Sequence, residues 1–187
     1  MHTVEAFHRA DANTGIVLVL PKDHIQYWES LCSEYQFQIP HRVVVGGKER
    51  FHSVKNALDT LSDADSLIAI HDGARPLVSA ELINRLFREL QSHNCVVPVV
   101  TPKESIRKIE GDHSVAVDRN HFVMVQTPQC FAAGILKSAY EVEYQPSFTD
   151  DASVLEYSGH QIHLVEGAYS NIKITSPEDL KIAEALI

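Results

Sequence analysis

The chain alternates short apolar runs with stretches of helical periodicity along most of its 187 residues. The apolar runs cover residues 16–20, 42–45, 66–71, 96–100 and 161–165. The helical patterns cover residues 23–35, 53–61 and 80–91, and Ser176-Pro177 opens another near the end. Continuous apolar runs are typical of strands buried on both faces, and their alternation with helices favours parallel pairing. The sequence therefore predicts an α/β, Rossmann-like fold with a mostly parallel sheet and helices on both faces.

The segment over residues 103–126 departs from this alternation. Apolar residues are interleaved there with charged and polar ones around Glu110-Gly111-Asp112. This pattern predicts a long two-stranded arm with a turn at its tip. Such an arm usually buries one face against a partner. We expect one domain over residues 1–187, with a protruding β-arm at about 103–126 that forms a homodimer. A hairpin folded onto its own sheet is the alternative.

Composition limits the classes of partner. The net charge of −9 argues against nucleic-acid binding, and no apolar run approaches the ~20 residues that a bilayer requires. We therefore expect a cytoplasmic protein with no nucleic-acid or membrane partner. Three widely spaced cysteines and eleven histidines show no metal-ligand spacing. An anionic ligand would need cations gathered locally, and the candidates are Arg50, Arg75, Arg119 and Lys173.

Candidate binding residues follow two of the predicted strands. His71-Asp72-Gly73-Ala74-Arg75-Pro76 comes directly after the run 66–71 and places a carboxylate and a cation at the carboxyl edge of the sheet. Gly46-Gly47 follows the run 42–45, so the backbone and Ser53 can approach an anion. These features predict a site for an anionic, nucleotide-like ligand. The spacing leaves Lys173 either solvated or directed into that site, and helix capping alone explains Thr149-Asp150-Asp151-Ala152-Ser153.

The ordered motifs resemble those of the 2-C-methyl-D-erythritol 4-phosphate cytidylyltransferases along essentially the whole chain. They are Gly46-Gly47-x-x-Arg50-x-x-Ser53-Val54, His71-Asp72-Gly73-Ala74-Arg75-Pro76, Asp118-Arg119, Thr127-Pro128-Gln129, Thr149-Asp150-Asp151-Ala152-Ser153 and Asn171-Ile172-Lys173-Ile174-Thr175. The related ribitol 5-phosphate cytidylyltransferases share most of them and remain an alternative. A third possibility is a truncated, non-catalytic dimeric homologue.

The resemblance implies transfer of CMP from CTP to 2-C-methyl-D-erythritol 4-phosphate, with release of pyrophosphate, in non-mevalonate isoprenoid biosynthesis. The CTP-binding residues it implies are Gly46, Gly47, Ser53, Asp72, Gly73, Arg75 and Lys173. The acceptor-binding residues it implies are Ser105, Arg119, Thr127 and Thr149, with Ser105 and Arg119 supplied by the arm of the partner subunit. Lys173, Asp72 and Arg119 would carry catalysis, with Asp72 close to Mg²⁺. No catalytic base is expected, because the acceptor phosphate is already ionised at neutral pH.

The chain departs from this family at its beginning. Family members open with a central strand and a glycine-rich loop carrying an arginine, followed by a lysine, and residues 1–7 resemble the helix that comes next. We expect the natural protein to extend upstream of Met1 by about one βα unit, ~30 residues. Without that unit, two strands should lack a neighbour, and the triphosphate should bind weakly.

Overall fold

The computed structural model describes residues 1–62 and 66–186. The helices are α1 (His2–Ala10), α2 (Lys22–Glu34), α3 (Arg50–Leu58), α4 (Ala80–Glu89), α5 (Ala133–Ala139), α6 (Asp151–Tyr157) and α7 (Pro177–Leu186). The strands are β1 (Val17–Leu20), β2 (Arg42–Val45), β3 (Leu67–Ile70), β4 (Cys95–Val100), β5 (Ile106–Glu110), β6 (His113–Val117), β7 (Met124–Val125), β8 (Gln129–Ala132) and β9 (His163–Glu166). Every strand and helix predicted from the apolar runs and helical patterns forms, with ends shifted by a few residues.

The direction of strand pairing corrects one prediction. Strands β1 and β2 are parallel, and so are β4 and β9, but β8 is antiparallel to both β3 and β4, and β7 is antiparallel to β4. The α/β class is confirmed, whereas a mostly parallel sheet is not. The reason is that β7 and β8, which were not predicted as strands of this sheet, both run antiparallel beside β4, and β8 separates β4 from β3.

Within the described residues, β1 and β2 form a two-stranded sheet that has no strand pairing with β3. The strands are therefore interrupted between this pair and the sheet that contains β3. Helix α3 bridges this break, because α3 contacts β1 and β2 while Phe51, Val54 and Leu58 on its other side enter the main core. The site described below therefore spans two sheets joined by one helix.

The core has two layers, one on each face of β4 and β8. Cys95, Val97 and Phe131 face a cluster that includes residues of α3, α5 and α6. Val96 and Cys130 face the opposite cluster, which α1 and α4 supply. Successive strand residues point to opposite faces, so both faces of the central strands are buried. Helices on both faces of the sheet are confirmed.

A two-stranded hairpin forms within the segment predicted as an arm, but it covers only residues 106–117, because β7 at the end of that segment pairs with β4 instead. Strands β5 and β6 pair in antiparallel register from Ile106 with Val117 to Glu110 with His113. Gly111 turns the chain between them with a φ of 63°, a left-handed conformation that glycine adopts without strain. In the described part of the chain, no helix has the length and apolar character needed to span a bilayer.

A buried ion pair fastens α3 to α6. The Arg50 guanidinium donates to both Asp151 carboxylate oxygens, at 2.8 and 2.5 Å, and the Tyr140 hydroxyl donates to Oδ1 at 2.6 Å. The Asp151 side chain is fully buried, whereas that of Arg50 is 38% exposed. Burial, together with the Asp151 carboxylate, raises the pKa of Tyr140, so the tyrosine remains a donor at all ordinary pH values. Arg50 and Tyr140, which are far apart in sequence, are thus held by the one carboxylate of Asp151.

Asp151→Ala should lower the free energy of unfolding by about 3 kcal/mol. Removing one partner of a buried pair typically costs ~3–5 kcal/mol, and the lower end applies because Arg50 keeps contact with water. Urea unfolding would measure the loss. The matched control is Glu141→Ala, which removes an exposed carboxylate paired with Lys55 at 3.0 Å and should cost no more than about 1 kcal/mol. Equal losses in the two variants would contradict this account.

Candidate active site

Asp72 is the centre of a charge cluster formed by two loops. It follows β3, and Lys173 follows β9. The Lys173 ammonium and the Arg75 guanidinium Nε each lie 3.2 Å from Asp72 Oδ2. The side chains of Asp72 and Arg75 are 16% and 12% exposed, whereas that of Lys173 is 47% exposed. Lys173 is therefore directed into the site, and it is the member of the cluster most open to a ligand.

The surrounding cations keep Asp72 ionised. Burial alone would raise its pKa, but Lys173 lowers it strongly, and Arg50 and Arg75 lower it further. The net result is a pKa below the ordinary value of an aspartate. Three of the four cations expected to converge therefore act on one carboxylate, and the exception is Arg119.

His71 holds the Asp72 loop in a defined hydrogen-bond arrangement. The Asp72 backbone N–H donates to the Thr127 hydroxyl at 3.0 Å, so that hydroxyl is free to donate its own proton to His71 Nδ1, also at 3.0 Å. His71 Nε2 lies 3.0 Å from the Arg75 carbonyl, which can only accept. Nε2 must then carry the proton and Nδ1 the lone pair. Burial lowers the pKa of His71 to about 4, which agrees with a neutral ring.

Asn171 connects the two loops of the cluster. Its backbone carbonyl accepts from Arg75 at 2.8 Å, and its side-chain amide donates to the Thr127 carbonyl at 2.8 Å. The Ile174 N–H donates to the Ala74 carbonyl at 2.8 Å, which joins the two loops a second time. The Asn171 side chain is completely buried. Lys173 is therefore presented by a segment whose backbone is fixed on both sides.

Gln126 supports the same region and was not predicted from the sequence. Its amide donates to the Ala168 carbonyl at 2.9 Å and accepts from the Ala168 N–H at 3.1 Å. A Cβ on Gly167 would lie 2.4 Å from Gln126 Oε1, so a glycine is needed for this close approach. Nothing in the local pattern marks Gln126, because its partners come from a loop about 40 residues later in the chain.

The glycine loop between β2 and α3 is closed by Ser53. The Ser53 hydroxyl accepts from the Gly47 N–H at 3.0 Å and donates to the Glu49 carbonyl at 3.1 Å. A Cβ on Gly47 would lie 2.3 Å from His52 Cβ, which only a glycine avoids. A Cβ on Gly46 would lie 3.1 Å from Ser53 Oγ, so Ser53 packs closely against Gly46 as well. Ser53 thus fixes the loop that was expected to approach the nucleotide.

Comparison with known proteins decides which family has this site. The family model of IspD, 2-C-methyl-D-erythritol 4-phosphate cytidylyltransferase, matches residues 1–187. The chain belongs to this cytidylyltransferase family. It is 49% identical over 187 residues to the 2-C-methyl-D-erythritol 4-phosphate cytidylyltransferase of Bacteroides fragilis, a match covering the whole chain and 85% of that protein. The 2-C-methyl-D-erythritol 4-phosphate cytidylyltransferase of Bacillus cereus is 36% identical over 190 residues, and that match covers the whole chain and 84% of that protein.

Solved structures of the family share the fold. The 4-diphosphocytidyl-2C-methyl-D-erythritol synthase of Anaerococcus prevotii superposes with a TM-score of 0.85 at 28% identity, over 99% of this chain and 83% of that one. The 2-C-methyl-D-erythritol 4-phosphate cytidylyltransferase of Thermus thermophilus superposes with a TM-score of 0.77 at 30% identity, over 98% and 88% of the two chains. These superpositions show that the chain has the fold of the family.

The structure distributes the predicted acceptor residues over three places. Thr127 lies beside Asp72, but it is only 5% exposed and its hydroxyl is engaged with Asp72 and His71. Thr149 lines a cavity of about 590 Å³ next to α6 and β9. Ser105 and Arg119 line a second cavity of about 430 Å³ on the arm, where Arg119 donates to the Lys103 carbonyl. Among the described residues, no hydrogen bond or ion pair links Arg119 to the Asp72 cluster. Their roles towards an acceptor remain predictions for the cytidylyltransferase site.

His71→Gln should flatten the pH dependence of stability. Between pH 6.5 and 4 the unfolded chain binds a proton at His71 that the folded chain does not, so stability falls as pH falls through this range. The full effect for one such group is about 3 kcal/mol. Glutamine can still donate to the Arg75 carbonyl but does not titrate. Urea unfolding at pH 5 and pH 7 should show a smaller difference for His71→Gln than for the parent, and an unchanged difference would refute a neutral, buried His71.

Proposed function

We propose that the chain transfers the cytidylyl group of CTP to 2-C-methyl-D-erythritol 4-phosphate and releases pyrophosphate. The observation that carries the proposal is the cluster of Asp72, Arg75 and Lys173 at the carboxyl ends of β3 and β9, in a chain that belongs to the cytidylyltransferase family along its whole length. Such a cluster can bind a nucleoside triphosphate, because its two cations lie next to each other and both can form charge-assisted hydrogen bonds to phosphate oxygens.

The proposed chemistry depends on positioning and charge neutralisation. The acceptor phosphate is ionised, so its oxygen attacks the α-phosphorus directly, the bond from that phosphorus to the bridging oxygen breaks, and pyrophosphate leaves. Lys173 is half exposed and can turn from Asp72 towards phosphate oxygens, while Arg75 is held by the Asn171 carbonyl. Negative charge grows on the leaving group, and a fixed cation there stabilises the transition state more than the ground state. No proton transfer is required of a side chain.

We propose that Mg²⁺ assists this reaction and is held in part by Asp72. Mg²⁺ commonly takes one or two carboxylate ligands and fills its other positions with substrate phosphates and water. Asp72 fits that role because it is kept ionised and both of its ion pairs use Oδ2, which leaves Oδ1 for another contact. When bound, the ion would neutralise charge on the triphosphate.

We propose that the acting form is a homodimer joined through the arm. The part of the segment 103–126 that follows β6 has four consecutive apolar residues, each between 42% and 46% exposed: Phe122, Val123, Met124 and Val125. Leu164 is 49% exposed, and both Val125 and Leu164 line the cavity that contains Thr149. A partner's arm laid over this surface would bury it and could bring Ser105 and Arg119 to Thr149. We further propose that the enzyme acts in the cytoplasm.

Lys173→Ala should reduce pyrophosphate release from CTP, Mg²⁺ and 2-C-methyl-D-erythritol 4-phosphate by about 100-fold or more. The assay should use the protein in its full natural length and the 187-residue chain in parallel. Lys181→Ala, which removes an exposed lysine of α7, is the control and should leave the rate unchanged. Ribitol 5-phosphate offered in place of the methylerythritol substrate tests the alternative acceptor. No release from the full-length protein with the methylerythritol substrate, or equal rates for the two variants, would contradict the proposal.

Mixing two inactive variants tests whether the arm completes the partner's site. In the proposed dimer, Arg119 of one subunit acts in the site that contains Asp72 of the other subunit. A heterodimer of one Asp72→Asn chain and one Arg119→Ala chain then has one intact site, which combines Asp72 of the second chain with Arg119 of the first. Random exchange of subunits should then restore about a quarter of the parent activity. If both residues serve the same subunit's site, every site carries a substitution and no activity returns.

Sedimentation of a chain lacking residues 103–126 should show a monomer, and a persistent dimer would contradict dimerisation through the arm.

A further inference from the structure

Three potential metal ligands meet at the edge of the sheet opposite the Asp72 cluster. Glu89 is the last residue of α4, His93 lies between α4 and β4, and His163 is the first residue of β9. One ligand atom from each lies within 4.8 Å of those of the other two. In the parallel pair β4–β9, His163 is paired with Val96, at the amino ends of both strands. Asp72 and Lys173 follow the carboxyl ends of their strands, so the two groups belong to different sites.

The two histidine rings are already in face-to-face contact. Their centroids are 3.5 Å apart and their planes differ by 8°, and His163 Nε2 lies 3.8 Å from Glu89 Oε2. His163 and Glu89 are 39% and 44% exposed, so an ion can reach the group from solvent. Sequence spacing did not reveal the cluster, because His163 is joined to the other two residues only by the pairing of β9 with β4.

We propose that Glu89, His93 and His163 form a binding site for a transition-metal cation of the Zn²⁺ class. Two imidazoles and one carboxylate are a donor set that Zn²⁺ uses in proteins, with water in the fourth position. Tetrahedral donors at ordinary zinc distances are ~3.4 Å apart, so the present separations need to contract by at most about an ångström and a half.

Binding requires one histidine ring to turn. A metal lies close to the plane of each imidazole that binds it, and two parallel planes 3.5 Å apart cannot share one ion. Rotation of a histidine ring about its last torsion is soft, since that torsion has a broad distribution. All three residues are partly exposed and no described hydrogen bond fixes either imidazole ring, so the stack can open towards the carboxylate.

The metal would stabilise the fold and would take no part in the transfer reaction. It would tie the end of α4 and the turn before β4 to the start of β9. It would also be chemically distinct from Mg²⁺ at Asp72, because Mg²⁺ prefers oxygen donors and two of these three donors are nitrogen. An ion that binds the folded chain alone raises the unfolding temperature as its concentration increases.

Zinc titration of the tag-free, metal-stripped protein tests the site. We expect one Zn²⁺ per chain by elemental analysis and an absorption spectrum typical of tetrahedral Co²⁺ when Co²⁺ is bound instead. The unfolding temperature should rise more with Zn²⁺ than with an equal concentration of Mg²⁺, and the His93→Ala/His163→Ala double variant should lose this difference. His93→Ala and His163→Ala should each weaken Zn²⁺ binding by at least about tenfold, and Glu89→Gln should weaken it while keeping the side-chain size. His24→Ala, which removes an exposed histidine of α2, is the control and should bind as the parent does.

Two results would overturn the proposal. One is the absence of stoichiometric Zn²⁺ uptake by the parent protein. The other is uptake that is unchanged in the His93→Ala/His163→Ala double variant, which would place the ion elsewhere on the chain. Circular dichroism of each variant without metal separates loss of the ligand from loss of the fold, and Glu89→Gln provides a second variant whose charge alone is altered.

Discussion

The sharing of one carboxylate by two cations is the interaction on which the site depends. Asp72 draws Arg75 and Lys173 together from loops that follow different strands, and the three charges offset one another where burial would otherwise penalise them. Because Lys173 is the most exposed of the three, it can leave the carboxylate for a phosphate without dismantling the rest. The ion pairs thus keep the proposed binding residues ordered in the absence of a ligand.

Neutral hydrogen bonds hold this charged centre in place. His71, Thr127 and Asn171 connect the loop after β3 with the loop after β9 through side-chain and backbone groups. A neutral His71 imidazole is suited to supporting the loop, since a positively charged ring beside Arg75 would compete with Arg75 and Lys173 for the Asp72 carboxylate. Lys173, for which we propose phosphate binding, and His71, which supports the loop of Asp72, therefore have separate roles in this network.

Local pattern predicted the elements, whereas contacts between distant segments decided how they join. Apolar runs were sufficient to predict β1, β2, β3, β4 and β9, although only β4 among them is buried along nearly its whole length. The antiparallel strands β7 and β8 were not predicted as members of this sheet, and their position beside β4 explains why the sheet is not mostly parallel. In the site, Asp72, Arg75 and Lys173 could be predicted from motif order. Gln126, the hydroxyl contacts of Thr127 and the Glu89–His93–His163 group could not, because their partners are set by tertiary packing.

The break between β1–β2 and the larger sheet has a consequence for motion. The two strands are held to the rest mainly by packing through α3, while β4 is paired on both sides and covered on both faces. In the 187-residue chain, backbone amides of β1 and β2 should therefore exchange with solvent deuterium through a local opening of low free energy, whereas those of β4 should exchange only when the whole chain unfolds. Since the glycine loop begins where β2 ends, this loop belongs to the less cooperative part of the 187-residue chain.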